Sequence, residues 1–126
     1  MLRRFTHAML VVALTACASA GNKSGTPKDS SVITREEIAT SMESNAYDAV
    51  ARLRPLFLKS RGRTTINGEV NDYATVFVDG VRYGDLSTLR GIVTNQIQMI
   101  RFLGGPDAVT KYGMSYGSGA IEVFTR

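Results

Sequence analysis

The chain has 126 residues, room for one domain, with 15 Lys+Arg against 11 Asp+Glu and a formal charge of +4. It carries one histidine, His7, one cysteine, Cys17, and no tryptophan. Those counts exclude a Ser-His-Asp or Cys-His site, an imidazole or thiolate metal centre and an internal disulfide, because His7 falls in a removable leader.

Arg3 and Arg4 precede the apolar run from Ala8 to Leu14, which is too short to span a bilayer and reads as the core of a secretory signal. The run ends in Leu14-Thr15-Ala16-Cys17, which resembles the lipobox of bacterial lipoproteins, where cleavage leaves the cysteine as an acylated first residue. Ala18-Ser19-Ala20 also fits the A-x-A site of ordinary signal peptidase, whose product is soluble in the periplasm or secreted. On the first cut, residues 1–16 are the signal peptide and Cys17 is the lipidation site. Arg3 and Arg4 leave with the signal, so the 15 Lys+Arg become 13 against 11 Asp+Glu. A formal charge near +2 with no block of like charges excludes a nucleic-acid surface.

Residues 17–31 read as a flexible tether. Gly, Ser, Asn, Lys, Thr and Pro dominate there, and almost nothing can be buried. The folded domain then runs over 32–126, opening with Val32 and Ile33 as a short strand. Thr34-Arg35-Glu36-Glu37 is a capping box: the threonine oxygen accepts from the N–H of Glu37, and the Glu37 carboxylate accepts from the N–H of Thr34. Ile33 and Ile38 occupy the hydrophobic-staple positions. A second helix starts with Ser44 or Asn45 as cap, keeps a helical spacing through Tyr47, Val50, Ala51 and Arg54, and stops at Pro55. Leu56-Phe57-Leu58 reads as a short buried segment. Arg54, Lys59, Arg61 and Arg63 form a basic group that Ser60 and Gly62 break up, as in a solvated loop.

Asn67-Gly68 is a turn signal. From Ala74 to Asp79 the chain is a strand, with Val76 and Val78 on one face and Phe77 on the other. Asp79-Gly80 closes a tight turn of the kind that needs positive φ, and Val81 to Tyr83 returns. Asp85 caps a short helix whose Leu86, Leu89 and Val93 face the sheet. Asp79 and Asp85 lack the oxygen density of a calcium loop, so they read as turn and cap residues. Ile97 to Leu103 is an apolar-rich strand, stopped by Gly104-Gly105-Pro106, and proline then opens a helix. Gly113 ends that helix as a left-handed cap. Gly117 and Gly119 free the backbone for a tight return. Ala120 to Thr125 alternates, with Ile121 and Val123 on one face and Glu122 on the other.

The order "I-x-x-I-x-x-L-x-G, A-x-x-x-Y-G, G-x-I-x-V-x-T-R" is similar to the end of the plug domain of TonB-dependent outer-membrane receptors. Ile97, Ile100, Leu103, Gly105, Ala108, Tyr112, Gly113, Gly119, Ile121, Val123, Thr125 and Arg126 carry it. Upstream, Val76-Phe77-Val78-Asp79-Gly80-Val81 resembles the plug's "V-x-V-D-G-V" strand and turn, and Ser31 to Ile38 its opening strand and helix start.

The resemblance implies an α+β domain: a mixed sheet of about four short strands with short crossover helices. Strands are expected near 74–79, 97–103 and 120–125 and helices near 85–92 and 106–112. A right-handed crossover joins the last two strands if they are parallel neighbours. Asp79, Gly80, Gly105, Tyr112, Gly113 and Gly119 become the structural residues of the motif. The loops around Tyr83 and Tyr116 become the candidate binding surface, with Tyr112 packed behind the helix it ends.

No cofactor, metal or catalytic residue is implied. The sequence stops at Arg126 without a barrel, so the expected role is that of a non-catalytic accessory binding component of a TonB-dependent transport system. It would sit on the periplasmic face of the outer membrane, held through acylated Cys17, beside a separate barrel receptor or another envelope protein. The alternative is a periplasmic lipoprotein that binds a small ligand or a cell-wall component on the same fold.

Overall fold

Thr34 starts the first helix as its sequence dictates. In the computed structural model, which describes residues 28–62 and 72–126, its hydroxyl accepts from the Glu37 N–H (3.4 Å) and its own N–H donates to Glu37 Oε2 (3.0 Å). The capping box joins β1 (Val32–Thr34) to α1 (Arg35–Ser41), with Ile33 and Ile38 both buried. Asn45, rather than Ser44, caps α2 (Ala46–Leu53), its side chain accepting from the Asp48 N–H at 2.9 Å.

The remaining strands are β2 (Thr75–Val78), β3 (Val81–Gly84), β4 (Ile97–Leu103) and β5 (Ala120–Thr125), with α3 (Gly105–Tyr112) before the last. Short 3₁₀ turns fill Pro55–Leu58, Leu86–Gly91, Thr94–Gln96 and Met114–Tyr116. The strands form one mixed sheet in the order β1-β4-β5-β2-β3. The β2–β5 pair is parallel; β1–β4, β4–β5 and β2–β3 are antiparallel.

Both faces of the sheet are covered. On one, Ile33, Val76, Ile97, Ile100, Phe102, Ile121 and Val123 pack with Ile38, Val50, Phe57, Leu89 and Ile92 from the helical segments. On the other, Phe77 and Ala120 pack with Ala108 of α3, flanked by Leu103, Tyr112 and Tyr116. The alternation read from Val76-Phe77-Val78 therefore holds.

Four expectations change. β4 and β5 are antiparallel neighbours, so α3 is a return connection and the handedness rule for parallel crossovers does not apply to it. Leu86–Gly91 is a 3₁₀ turn with three residues per turn, so Ile92 rather than Val93 follows Leu89 into the core, and Val93 is 45% exposed. Pro55–Leu58 is also a 3₁₀ turn, which buries Phe57 and turns Leu56 outward. Residues 28–31 are docked rather than free: Lys28 pairs with Glu37 (2.6 Å), and the Ser31 carbonyl accepts from the Phe102 N–H (2.8 Å). Of the remaining expectations, the signal, Cys17, the tether up to residue 27, Arg63 and the Asn67-Gly68 turn lie outside the described residues.

The basic group is not one patch. Arg54 is drawn inward, donating to Glu37 Oε1 (3.1 Å) and to the Ser30 and Val32 carbonyls, while Arg61 lies over the Phe102 ring at 4.2 Å. Burial pushes the Glu37 carboxyl up, but Lys28, the Thr34 N–H and Arg54 together outweigh it, and the net shift is downward from 4.5. A carboxyl lowered by folding contributes stability above its unfolded pKa, and that contribution is lost as pH falls through the folded value. Wild-type melting temperature should therefore fall as the solution is acidified below about pH 4.5, and Glu37→Gln should flatten that dependence. Thermal melts of both proteins between pH 3 and pH 7, roughly the carboxylate range, check this; parallel curves would remove Glu37 as a source.

Candidate functional site at the end of the sheet

The motif residues converge where β2 turns into β3 and where β5 ends. Asp79 (φ 49°) and Gly80 (φ 84°) are the two central residues of the β2–β3 hairpin, whose flanking pair is Val78 and Val81. Positive φ at both positions is the demand of a type I′ turn, and Asp-Gly meets it at low cost. The Asp79 carboxylate does more than shape the turn. It accepts from the Thr125 N–H (2.9 Å) and the Thr125 hydroxyl, and the Asp79 N–H donates to the Val123 carbonyl (2.9 Å). Those bonds tie the hairpin to the end of β5 and hold the Asp79 carboxyl below its ordinary pKa, the Thr125 hydroxyl contributing most.

The glycines answer two different constraints. A Cβ on Gly105 would lie 2.2 Å from the Gly117 carbonyl oxygen, and one on Gly119 (φ 100°) 2.8 Å from the Leu103 carbonyl oxygen. These are close backbone approaches that close the α3 return onto the end of β4. Gly113 (φ 110°, ψ 173°) has open space around it. Its demand is purely conformational, in a region essentially reserved for glycine rather than the left-handed helical region expected for the cap.

Under α3 lies a buried carboxylate. Glu122, 2% exposed, faces away from Ile121 and Val123 as its alternation requires, but that face is covered rather than solvated. Lys111 Nζ and the Tyr112 hydroxyl both donate to Glu122 Oε1, while Oε2 has Arg101 Nη1 at 4.0 Å and no hydrogen-bond donor. The Tyr112 ring stacks on Phe77 with centroids 3.7 Å apart, and Tyr116 meets both rings edge-on at 5.3 and 6.1 Å. Burial, and then the Glu122 carboxylate, push the Tyr112 phenol well above its ordinary pKa. Tyr112 thus packs behind its helix, as its position implied.

The two tyrosines of the candidate surface are split. Tyr116 is half-buried in the aromatic cluster, whereas Tyr83 is 54% exposed on the edge strand β3. Sequence reading missed Glu122 and Thr125 as partners. The one available signal was a lone carboxylate on a strand whose neighbours Ile121 and Val123 are both apolar. Among the described residues, no group of three or more His, Cys, Asp or Glu is placed to hold a metal, and no helix is long and apolar enough to cross a membrane.

This geometry belongs to a small covered sheet whose parts lock onto its final strand. A family model, the TonB-dependent receptor plug domain, matches residues 22–121, and the chain belongs to that family. The family's receptors work in outer-membrane transport, with the plug associated with a barrel. No curated protein matches the chain.

Substitutions separate the glycine constraints. Gly105→Ala and Gly119→Val should each lower stability by about 1–3 kcal/mol through forced backbone movement. Gly113→Val should cost about 1 kcal/mol or more through backbone strain alone. Chemical denaturation of the three variants checks this, and wild-type midpoints for all three would contradict it.

Proposed function

We propose that the protein is a non-catalytic plug module acting as an accessory binding component of a TonB-dependent transport system, carried on the outer membrane by lipid on Cys17. The observation that carries the reading is the extent of the family match. It runs from residue 22, before β1, to Ile121, the second residue of β5, so it takes in every described element up to the start of the last strand. The chemistry of the chain agrees with a binding role. The most deeply buried carboxylate among the described residues, Glu122, accepts from Lys111 and Tyr112 inside the fold. In this reading the open edge of the sheet, with Tyr83 and Val81 exposed, is the face offered to a barrel receptor or another envelope protein.

A lipid on Cys17 supplies the anchor, at roughly 0.8 kcal/mol per buried CH₂, and two or more acyl chains hold a protein stably. A lipoprotein that binds a small ligand or a cell-wall component on the same scaffold is the second reading. It is favoured by the surface cleft beside α2 and β3 described below.

The two parts of the proposal are tested separately. Wild-type protein should fractionate with the outer membrane, and Cys17→Ser should either stay unprocessed or appear as a soluble product cut after Ala20. Wild-type protein found wholly in the soluble periplasm would remove the lipid anchor. A photo-crosslinker at position 83 should capture an outer-membrane barrel receptor; capture of peptidoglycan or of nothing would favour the second reading over the first.

A further inference from the structure

A cleft of about 990 Å³ opens between α2, the Leu86–Gly91 turn and the start of β2. That volume is typical of a small-molecule site. Leu58, Ala74 and Leu86 supply apolar lining. Tyr47 forms part of the wall, its ring covered by the Arg90 guanidinium at 4.0 Å, and Tyr73 is 51% exposed. Two arginines line the cleft, Arg82 and Arg90.

The charges there are unbalanced. Arg52, Arg54 and Arg101 each have a carboxylate within 4.0 Å. Neither Arg82 nor Arg90 has one among the described residues. The cleft's own acid, Asp85, is committed to capping: it accepts from the Ser87 N–H (3.0 Å) and the Ser87 hydroxyl, which hold it ionised below its ordinary pKa. What remains is a pair of guanidiniums with no carboxylate within 4.0 Å among the described residues, outnumbering the one anion of the lining, Asp85, beside a half-exposed phenol ring and an apolar floor. Guanidinium forks match planar or tetrahedral oxyanions, and a half-exposed aromatic offers a stacking face.

We propose that this cleft binds a small oxyanion carrying a ring, either a carboxylate or a phosphate ester, with the oxyanion on Arg82 and Arg90 and the ring against Tyr73. The site is independent of the transport reading, since it uses neither Cys17 nor a barrel partner, and either can fail alone.

Titration of the purified full-length protein with benzoate and with phenyl phosphate, followed by calorimetry and amide chemical shifts, tests the site. Inorganic phosphate and benzyl alcohol serve as the anion-only and ring-only probes. Saturable binding of at least one ring anion is expected, perturbing Tyr47 and Tyr73. The two arms decide between carboxylate and phosphate. Arg82→Gln with Arg90→Gln should weaken binding by about tenfold or more, since charge-assisted bonds are lost, at an unchanged melting temperature. Tyr73→Ala should weaken it without touching either charge, which keeps the test open if the double variant folds poorly. The site is overturned by the absence of saturation with both ring anions, by benzyl alcohol or inorganic phosphate binding as tightly as they do, or by wild-type affinity in Tyr73→Ala and the arginine variants.

Discussion

Everything in the fold depends on β5 being buried on both faces and paired on both edges. It is the last strand in chain order, yet it occupies the middle of the sheet, between β4 and β2. Ile121 and Val123 close the larger core, and Ala120 and Glu122 lie under α3. Each fully buried aliphatic there contributes roughly 1.5–3 kcal/mol of burial. The loss of one strand would expose both cores together. Within the sheet, β1 and β4 on one side and the β2–β3 hairpin on the other are hydrogen-bonded into one unit through it.

That placement explains the polar contacts gathered along the strand. Asp79 pins the hairpin to Thr125 at the end of β5, so the turn is fixed against the strand as well as internally. Glu122 acts differently. A buried carboxylate pays a desolvation cost that Lys111, Tyr112 and Arg101 offset only through good geometry. Its strongest effect is on register. A slip of β5 by one residue would move Glu122 into the apolar layer of Ile33 and Ile100, away from Lys111 and Tyr112.

Local chemistry was legible in the sequence wherever a residue's own neighbours decide its conformation. The Thr34 capping box, a cap at Ser44 or Asn45, the Asp79-Gly80 turn and a helix opening around Gly105-Pro106 all belong to this class, because each needs only residues within three or four positions. Burial that depends on a distant element was not legible. Alternation placed Glu122 opposite Ile121 and Val123 but could not say that α3 would cover that face. Nor could it pair β4 antiparallel to β5, which depends on how the α3 return closes through Gly105 and Gly119. Val93 was misplaced for a smaller reason: a three-residue turn replaced a 3.6-residue one, and the inward position moved to Ile92. The cleft beside Tyr47 joins α2, β3 and the turn after it, three segments with no shared motif.

Native-state hydrogen exchange tests the central role of β5 most directly. Amides of lightly held strands exchange through small local openings, with little dependence on denaturant. Here the amides of Ile121 and Val123 should be among the slowest in the protein, exchanging only through global unfolding and responding to denaturant with the full slope of the unfolding transition. Exchange at β5 faster than at β1 or β3, with little denaturant dependence, would contradict a sheet organised on its final strand.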